Sequence, residues 1–205
     1  MIKGIDVSYW QNSSKSVASP NGIDWTQVAG SGIEFVIIKV SEGVGRIEPR
    51  GRDQALGAQS AGLTIGYYHF AHPGEDTAVA EADLFYKLIS QYPAYQIVPT
   101  LDIEVNRAGL SPEAMTQWVV DFVARLNSYG IPKVMLYTYR PFSDQNLRPH
   151  PTLAPCPLWL ADYESAAHIP HGWSTYDIWQ YSQSGQIPGI AGNVDLNQSN
   201  QLPLI

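Results

Sequence analysis

The sequence predicts an α/β fold: an irregular TIM-like barrel of about five β/α units followed by three β-strands with few helices. Three observations predict it. Short β-branched runs alternate with segments of helical period through the first 138 residues, as in a parallel sheet wrapped by helices. That rhythm then stops, and the last third holds short strand candidates between Pro/Gly-rich loops too brief for full helices. Carboxylates recur at the predicted strand ends, where barrels of this type carry their chemistry.

Residues 2–7 read as the first strand, followed by a loop rich in Ser, Asn, Pro and Gly over 12–22. Asp24 is placed to cap a short helix that carries Trp25 and Val28 and stops near Gly30 and Gly32. The run 35–40 is the second strand, and 54–61 reads as a helix that Gly62 terminates. The third strand covers 64–70. A helix is expected over 76–88, with Ala80, Leu84 and Leu88 at helical spacing. Residues 97–103 are the fourth strand. Ser111-Pro112-Glu113 then starts a helix that runs to Tyr129-Gly130. Strands follow at 134–138, 158–163, 177–181 and 192–196, making eight. A doubly wound open sheet is the competing fold, and it lacks the Gly-rich phosphate turn expected after its first strand.

The 205 residues fit one domain, expected to span 1–205 as a single barrel with a core of adequate size. Twelve basic against nineteen acidic residues give a net charge of −7 with no basic cluster, which argues against a nucleic-acid partner. The single cysteine, Cys156, excludes an intrachain disulfide and a cysteine-rich metal site, and it reads as a plain buried or loop thiol. No apolar run approaches a membrane span, and the first residues lack the apolar stretch of a signal peptide. The expectation is a monomeric chain made in the cytoplasm, released by other means if its target lies outside the membrane.

The predicted strand ends collect Asp6, Glu42, Tyr68, Asp102, Glu104, Tyr137, Asp162, Tyr163, Gln180 and Asp195. Asp102 and Glu104 are central. Two apart on a strand, their side chains share a face, separated by roughly 6.5–7 Å along the backbone. Like charges this close and shielded from water cannot both ionise freely. A carboxyl kept protonated can donate to a glycosidic oxygen while its anionic neighbour stabilises positive charge. Asp6 and Asp195, from the first and last strands, would become neighbours on barrel closure and support that pair, although Asp195 equally suits a turn acceptor. Trp10, Tyr68, Tyr137, Trp159, Tyr163 and Trp179 are candidates for a sugar groove, with no more than half expected to touch ligand. The pairs His69/His72 and His168/His171 lack the further ligands a zinc site needs. No metal and no cofactor is expected. No Gly-x-Ser-x-Gly elbow surrounds Ser8 or Ser41, which disfavours a serine hydrolase.

Gly4-Ile5-Asp6-Val7-Ser8-Tyr9-Trp10-Gln11 resembles the opening of the glycoside hydrolase family 25 lysozymes, the Chalaropsis type. The resemblance continues through Ile23-Asp24-Trp25, residues 35–43, Ala61-Gly62-Leu63, Gly66-Tyr67-Tyr68-His69-Phe70 and Leu101-Asp102-Ile103-Glu104. It resumes at Tyr137-Thr138, residues 158–163, residues 178–181 and Val194-Asp195-Leu196-Asn197, so it covers nearly the whole chain in order. It implies a retaining N-acetylmuramidase that cuts the β-1,4 bond between N-acetylmuramic acid and N-acetylglucosamine in peptidoglycan. By position, Glu104 takes the proton donor's place. Asp102 takes that of the acid that attacks, or that steadies the substrate's acetamido group, and Asp6 and Asp195 match two further cleft acids. Tyr68, Tyr137, Trp159 and Tyr163 match aromatic cleft positions, and Glu42, Asp162 and Gln180 are expected to bind substrate beside them. The chain departs from the family at an apparent insertion over 13–22. It also has Glu48, Gly51 and Gln54 where Asp, Phe and Asn are usual. Delivery as a phage or prophage endolysin would suit such a chain. A non-catalytic glycan-binding barrel and a metal-dependent hydrolase using the acids with His69 are the alternative readings.

Overall fold

A computed structural model describes residues 1–12 and 22–205; the expected insertion over 13–22 falls almost wholly outside the described residues. Seven parallel strands and one antiparallel strand close a barrel. In chain order these are β1 (Ile2–Val7), β2 (Phe35–Glu42), β4 (Thr64–Phe70), β5 (Thr100–Asp102), β6 (Met135–Tyr139), β7 (Leu158–Ala161), β8 (Ile178–Gly185) and β9 (Val194–Ser199). Strand β3 (Arg46–Ile47) is a short antiparallel hairpin on β2, outside the ring. Pairing of β1 with both β2 and β9 closes the ring.

Five helices follow the first five barrel strands: α1 (Trp25–Gly30), α2 (Gly51–Ser60), α3 (Ala78–Ile89), α4 (Pro112–Ser128) and α5 (Arg140–Asn146). Asp24 caps α1 by accepting from the Gln27 N–H at 3.1 Å, and Ser111 caps α4 at Ala114 N at 3.2 Å, as the sequence predicts. The start of α3 differs: Thr77 is the cap, while Asp76 accepts from Val44 N. Helix α2 begins at Gly51, three residues early, where the chain packs so closely that an added Cβ would lie 2.7 Å from the Lys39 carbonyl oxygen. The expected fourth strand is cut to Thr100–Asp102: the Val98 N–H bonds to the Pro203 carbonyl, and Ile97 bridges to Leu204 of the C-terminal segment. Helix α5 has no counterpart in the predicted elements.

Strand alternation sorts the apolar residues into two cores. Phe35, Ile37, Ile97, Met135, Trp159 and Ile178 fill the barrel interior. Val36, Ile38, Val40, Leu101, Phe85, Val119 and Phe122 form the layer between barrel and helices. Gly4 faces the interior directly against the Phe35 ring, which lies 2.3 Å from where its Cβ would sit, so the ring fills the volume a β1 side chain would otherwise take. At the upper end of β2 a bulge between Lys39 and Ser41 turns Ser41 outward to His69, and the strand ends at Glu42 by the mouth.

Candidate active site

The C-terminal ends of the parallel strands converge on one mouth. Asp195 comes from the start of β9, not from a strand's C-terminal end as the sequence pattern suggests. Because β9 runs antiparallel, its first residues reach that same mouth, and Asp195 pairs directly opposite Asp6. The two carboxyls lie within hydrogen-bonding reach. Burial first, and then the Asp195 charge, push Asp6 well above the usual carboxylate range; burial also raises Asp195.

A chain of hydrogen bonds holds Asp6 in place. Its Oδ2 accepts from Gln180 Nε2 and Asn197 Nδ2, each at 2.8 Å. Asn197 Oδ1 accepts from Trp159 Nε1 at 2.7 Å, and Gln180 Oε1 accepts from the hydroxyls of Tyr137 at 3.0 Å and Tyr163 at 2.8 Å. This network corrects two expectations. Trp159 is 1% exposed, so its indole braces the floor instead of lining a groove. Gln180, buried and bonded on both ends of its amide, orients Asp6 and two tyrosines instead of standing open to a ligand.

Asp102 ends β5, between Phe70 and Tyr137 in register. Glu104 lies two residues past it, beyond the end of the strand. Asp102 is buried with one carboxylate oxygen unpartnered; Glu104 is partly buried. Burial, then the neighbouring Glu104 charge, push Asp102 well above its ordinary range. Burial raises Glu104 as well, with Asp195 adding to it, while the Lys39 ammonium opposes both shifts. Both carboxyls are therefore held toward their protonated forms, and they share that tendency as a pair.

Lys39 is the residue the sequence reading passed over. It is the single charge inside the apolar run 35–40, a visible signal of a functional position. Its Nζ bonds Glu42 Oε2 at 2.7 Å and sits 4.7 Å from the Phe70 ring centre. Glu42, expected to meet substrate, is engaged instead by Lys39, by His72 at 3.3 Å and by Arg46 at 3.6 Å. Asp162 is likewise committed: it accepts from the backbone of Glu164 and His168 and from the His168 ring, tying its own loop.

Beside Glu104 opens a cavity of about 660 Å³ whose walls include Tyr137, Tyr139, Arg140, Tyr163 and His168. Tyr163 is 48% exposed and Tyr139 37%. Tyr68 stands edge-on to Trp159 at 6.0 Å; burial first, and then the charges of Asp6 and Asp102, push its hydroxyl pKa well above the ordinary range. Tyr139 ends β6 as the cap of α5, and Arg140 opens that undetected helix. Of the departures from the family pattern, Gln54 bonds the Ser8 carbonyl at 2.7 Å, and the buried Glu48 is raised by desolvation with neither oxygen in a regular hydrogen bond.

His69 faces away from all of this. It is fully buried in the outer layer, bonded to Ser41 Oγ at 2.8 Å and Glu81 Oε2 at 2.6 Å, so it cannot join the acids around a metal. Cys156 is buried, as expected, its thiol pushed up to about 11 by desolvation.

Comparison with known proteins agrees with this architecture. The chain is 33% identical over 208 residues to lysozyme M1 of Streptomyces globisporus, covering 97% of this chain and 68% of that protein. It is 32% identical to the N,O-diacetylmuramidase of Chalaropsis sp., covering 95% and 96% of the two. The crystal structure of the bacterial lysozyme from Streptomyces coelicolor superposes with a TM-score of 0.86 at 32% identity, over 98% of this chain and 93% of that one. The model of the glycosyl hydrolases family 25 matches residues 5–190. A barrel mouth lined by buried acids, a family model over most of the chain and lysozyme relatives matched along nearly its whole length lead to a single assignment: the chain belongs to glycosyl hydrolases family 25.

Proposed function

We propose that Glu104 is the proton donor and Asp102 its partner acid in the N-acetylmuramidase reaction by which this glycoside hydrolase cuts peptidoglycan at the β-1,4 bond between N-acetylmuramic acid and N-acetylglucosamine. The observation that carries the reading is the raised pKa of Glu104 at the edge of an open cavity, which keeps a proton available where a leaving-group oxygen would sit. Asp102 lies deeper, with an unpartnered oxygen. Positive charge developing at the anomeric carbon favours its anion, and from there it attacks or steadies the acetamido group; both routes retain configuration. Asp6 and Asp195 act behind this pair, their shared field and hydrogen bonds fixing the mouth. Tyr68, Tyr137 and Tyr163 bind sugar. Asp162, Gln180, Trp159 and Glu42 contribute by holding other groups in place.

The rest of the reading is a single catalytic domain over 1–205, a monomer without a nucleic-acid partner, reaching the wall from the cytoplasm through a lesion made by another protein, as phage endolysins do. No helix among the described residues is long and apolar enough to cross a membrane. Proton NMR of a fresh digest tests the chemistry. The β-anomer should form first and mutarotate later, and the Glu104→Gln protein should form neither anomer above background. Initial α-anomer would overturn the retaining assignment, and an active Glu104→Gln protein would overturn the proton donor.

A further inference from the structure

Trp10 is 71% exposed, whereas Trp25, Trp118 and Trp159 are buried. A single exposed apolar side chain is ordinary on a protein surface, so what marks Trp10 is its surroundings. It lies in a 3-10 turn, Tyr9–Asn12, that begins three residues after Asp6 at the barrel mouth. The Tyr9 ring backs it at 4.4 Å, and the Arg46 guanidinium lies over that same ring at 5.0 Å. Val44 and Ile47, also exposed, extend this lip along the β2–β3 hairpin.

The turn is fixed from several sides. Gln54 on α2 donates to the Ser8 carbonyl, Ser8 N–H donates to Gln11 Oε1 at 2.9 Å, and Gln11 Nε2 reaches the Asn193 carbonyl at 3.3 Å. The backbone that carries Trp10 is thus fixed and the Tyr9 ring supports its indole, so less freedom is lost on contact, as a binding platform requires.

In the ring of eight strands, β1 and β6 are four places apart and so lie opposite each other. The Glu104 cavity is built on the β6 side, at Tyr137, Tyr139 and Arg140, and the Trp10 lip on the β1 side. The acids lie between. A proton donor delivers to the leaving oxygen, so the reducing-side part of a glycan belongs in the cavity that Glu104 lines. The non-reducing part must then cross the acids toward the opposite lip.

We infer that Trp10, backed by Tyr9 and Arg46, is a distal subsite for an N-acetylhexosamine residue on the non-reducing side of the scissile bond, and this rests on the muramidase reading above. The apolar C–H face of the pyranose lies on the indole, and its polar substituents face Arg46.

The test uses glycan strands of graded length with wild type, Trp10→Ala and Trp10→Phe, whose folding is first checked by their melting temperatures. Trp10→Ala should raise KM on long strands about tenfold with kcat within about twofold. It should leave the shortest cleavable fragment unaffected, and Trp10→Phe should recover most of the loss. Calorimetric binding of long strands in the Glu104→Gln background should weaken by the same factor with Trp10→Ala. Unchanged KM and unchanged binding on long strands would overturn the subsite, as would an equal loss on long and short fragments. Wild type that binds strands through Trp10 but never cuts them would overturn the muramidase reading and leave the subsite standing.

Discussion

Glu104 and Asp102 are both pushed upward by burial, and Lys39 pulls both down. If turnover needs Glu104 protonated and Asp102 ionised, both limbs of the pH–rate profile should lie above those of free carboxylic acids. Removing the ammonium in Lys39→Met should move both limbs further up; a profile that stays put or moves down would show that Lys39 does not tune the pair. Behind the acids, Asn197 links Trp159 to Asp6. Asn197→Ala leaves a buried indole N–H unpaired and removes a donor from Asp6, and should cost about 1–3 kcal/mol in urea unfolding. A loss under about 0.5 kcal/mol would mean that a water replaces the amide. The residue-level pattern of acids was legible because carboxylates are rare in predicted strands. The division between groove and brace was not. Trp159 and Tyr163 are both aromatics near one strand end, and only the depth of each in the barrel separates a 1% exposed indole from a 48% exposed phenol.

Strand direction decides where Asp195 goes, and an apolar run carries no direction. The sequence pattern therefore predicted an eighth strand without showing that its start, not its end, meets the mouth. Helix α5 was missed because seven residues opening Arg140-Pro141 offer too little period to detect, yet the helix brings Arg140 to the cavity. Between β2, β4 and α3, the buried bonds Ser41–His69–Glu81 act as a neutral strut. Burial lowers His69 to about 3 and raises Glu81 to about 8. For Glu81 the folded pKa exceeds the ordinary 4.5, so its contribution to stability is full below 4.5 and is lost as pH rises through about 8. For His69 the contribution is present above 6.5 and lost as pH falls toward 3. Glu81→Gln cannot ionise, so its melting temperature should fall less than wild type between pH 5 and 9. Parallel declines would contradict the neutral strut. At β1, Gly4→Ala places a methyl inside the Phe35 ring and should destabilise by about 1–3 kcal/mol, read by thermal melting.

The whole molecule carries a net charge of −7, and bacterial walls are themselves anionic polymers. Long-range repulsion should slow encounter at low ionic strength, so the lytic rate should rise with moderate salt before other effects intervene. A rate that falls from the first addition of salt would contradict this. The barrel was legible at this scale from its broken rhythm, strand–helix units giving way to bare strands. Closure through β9 and the role of the C-terminal segment at Ile97 and Val98 depended on contacts between the chain's two ends, which no local window contains. The role of Glu104 in muramidase cleavage is tested most directly by mass spectrometry of purified peptidoglycan treated with wild type and with Glu104→Gln. Muropeptides ending in reducing muramic acid are expected from wild type alone; intact glycan from both folded proteins, or the same fragments from both, would contradict that role.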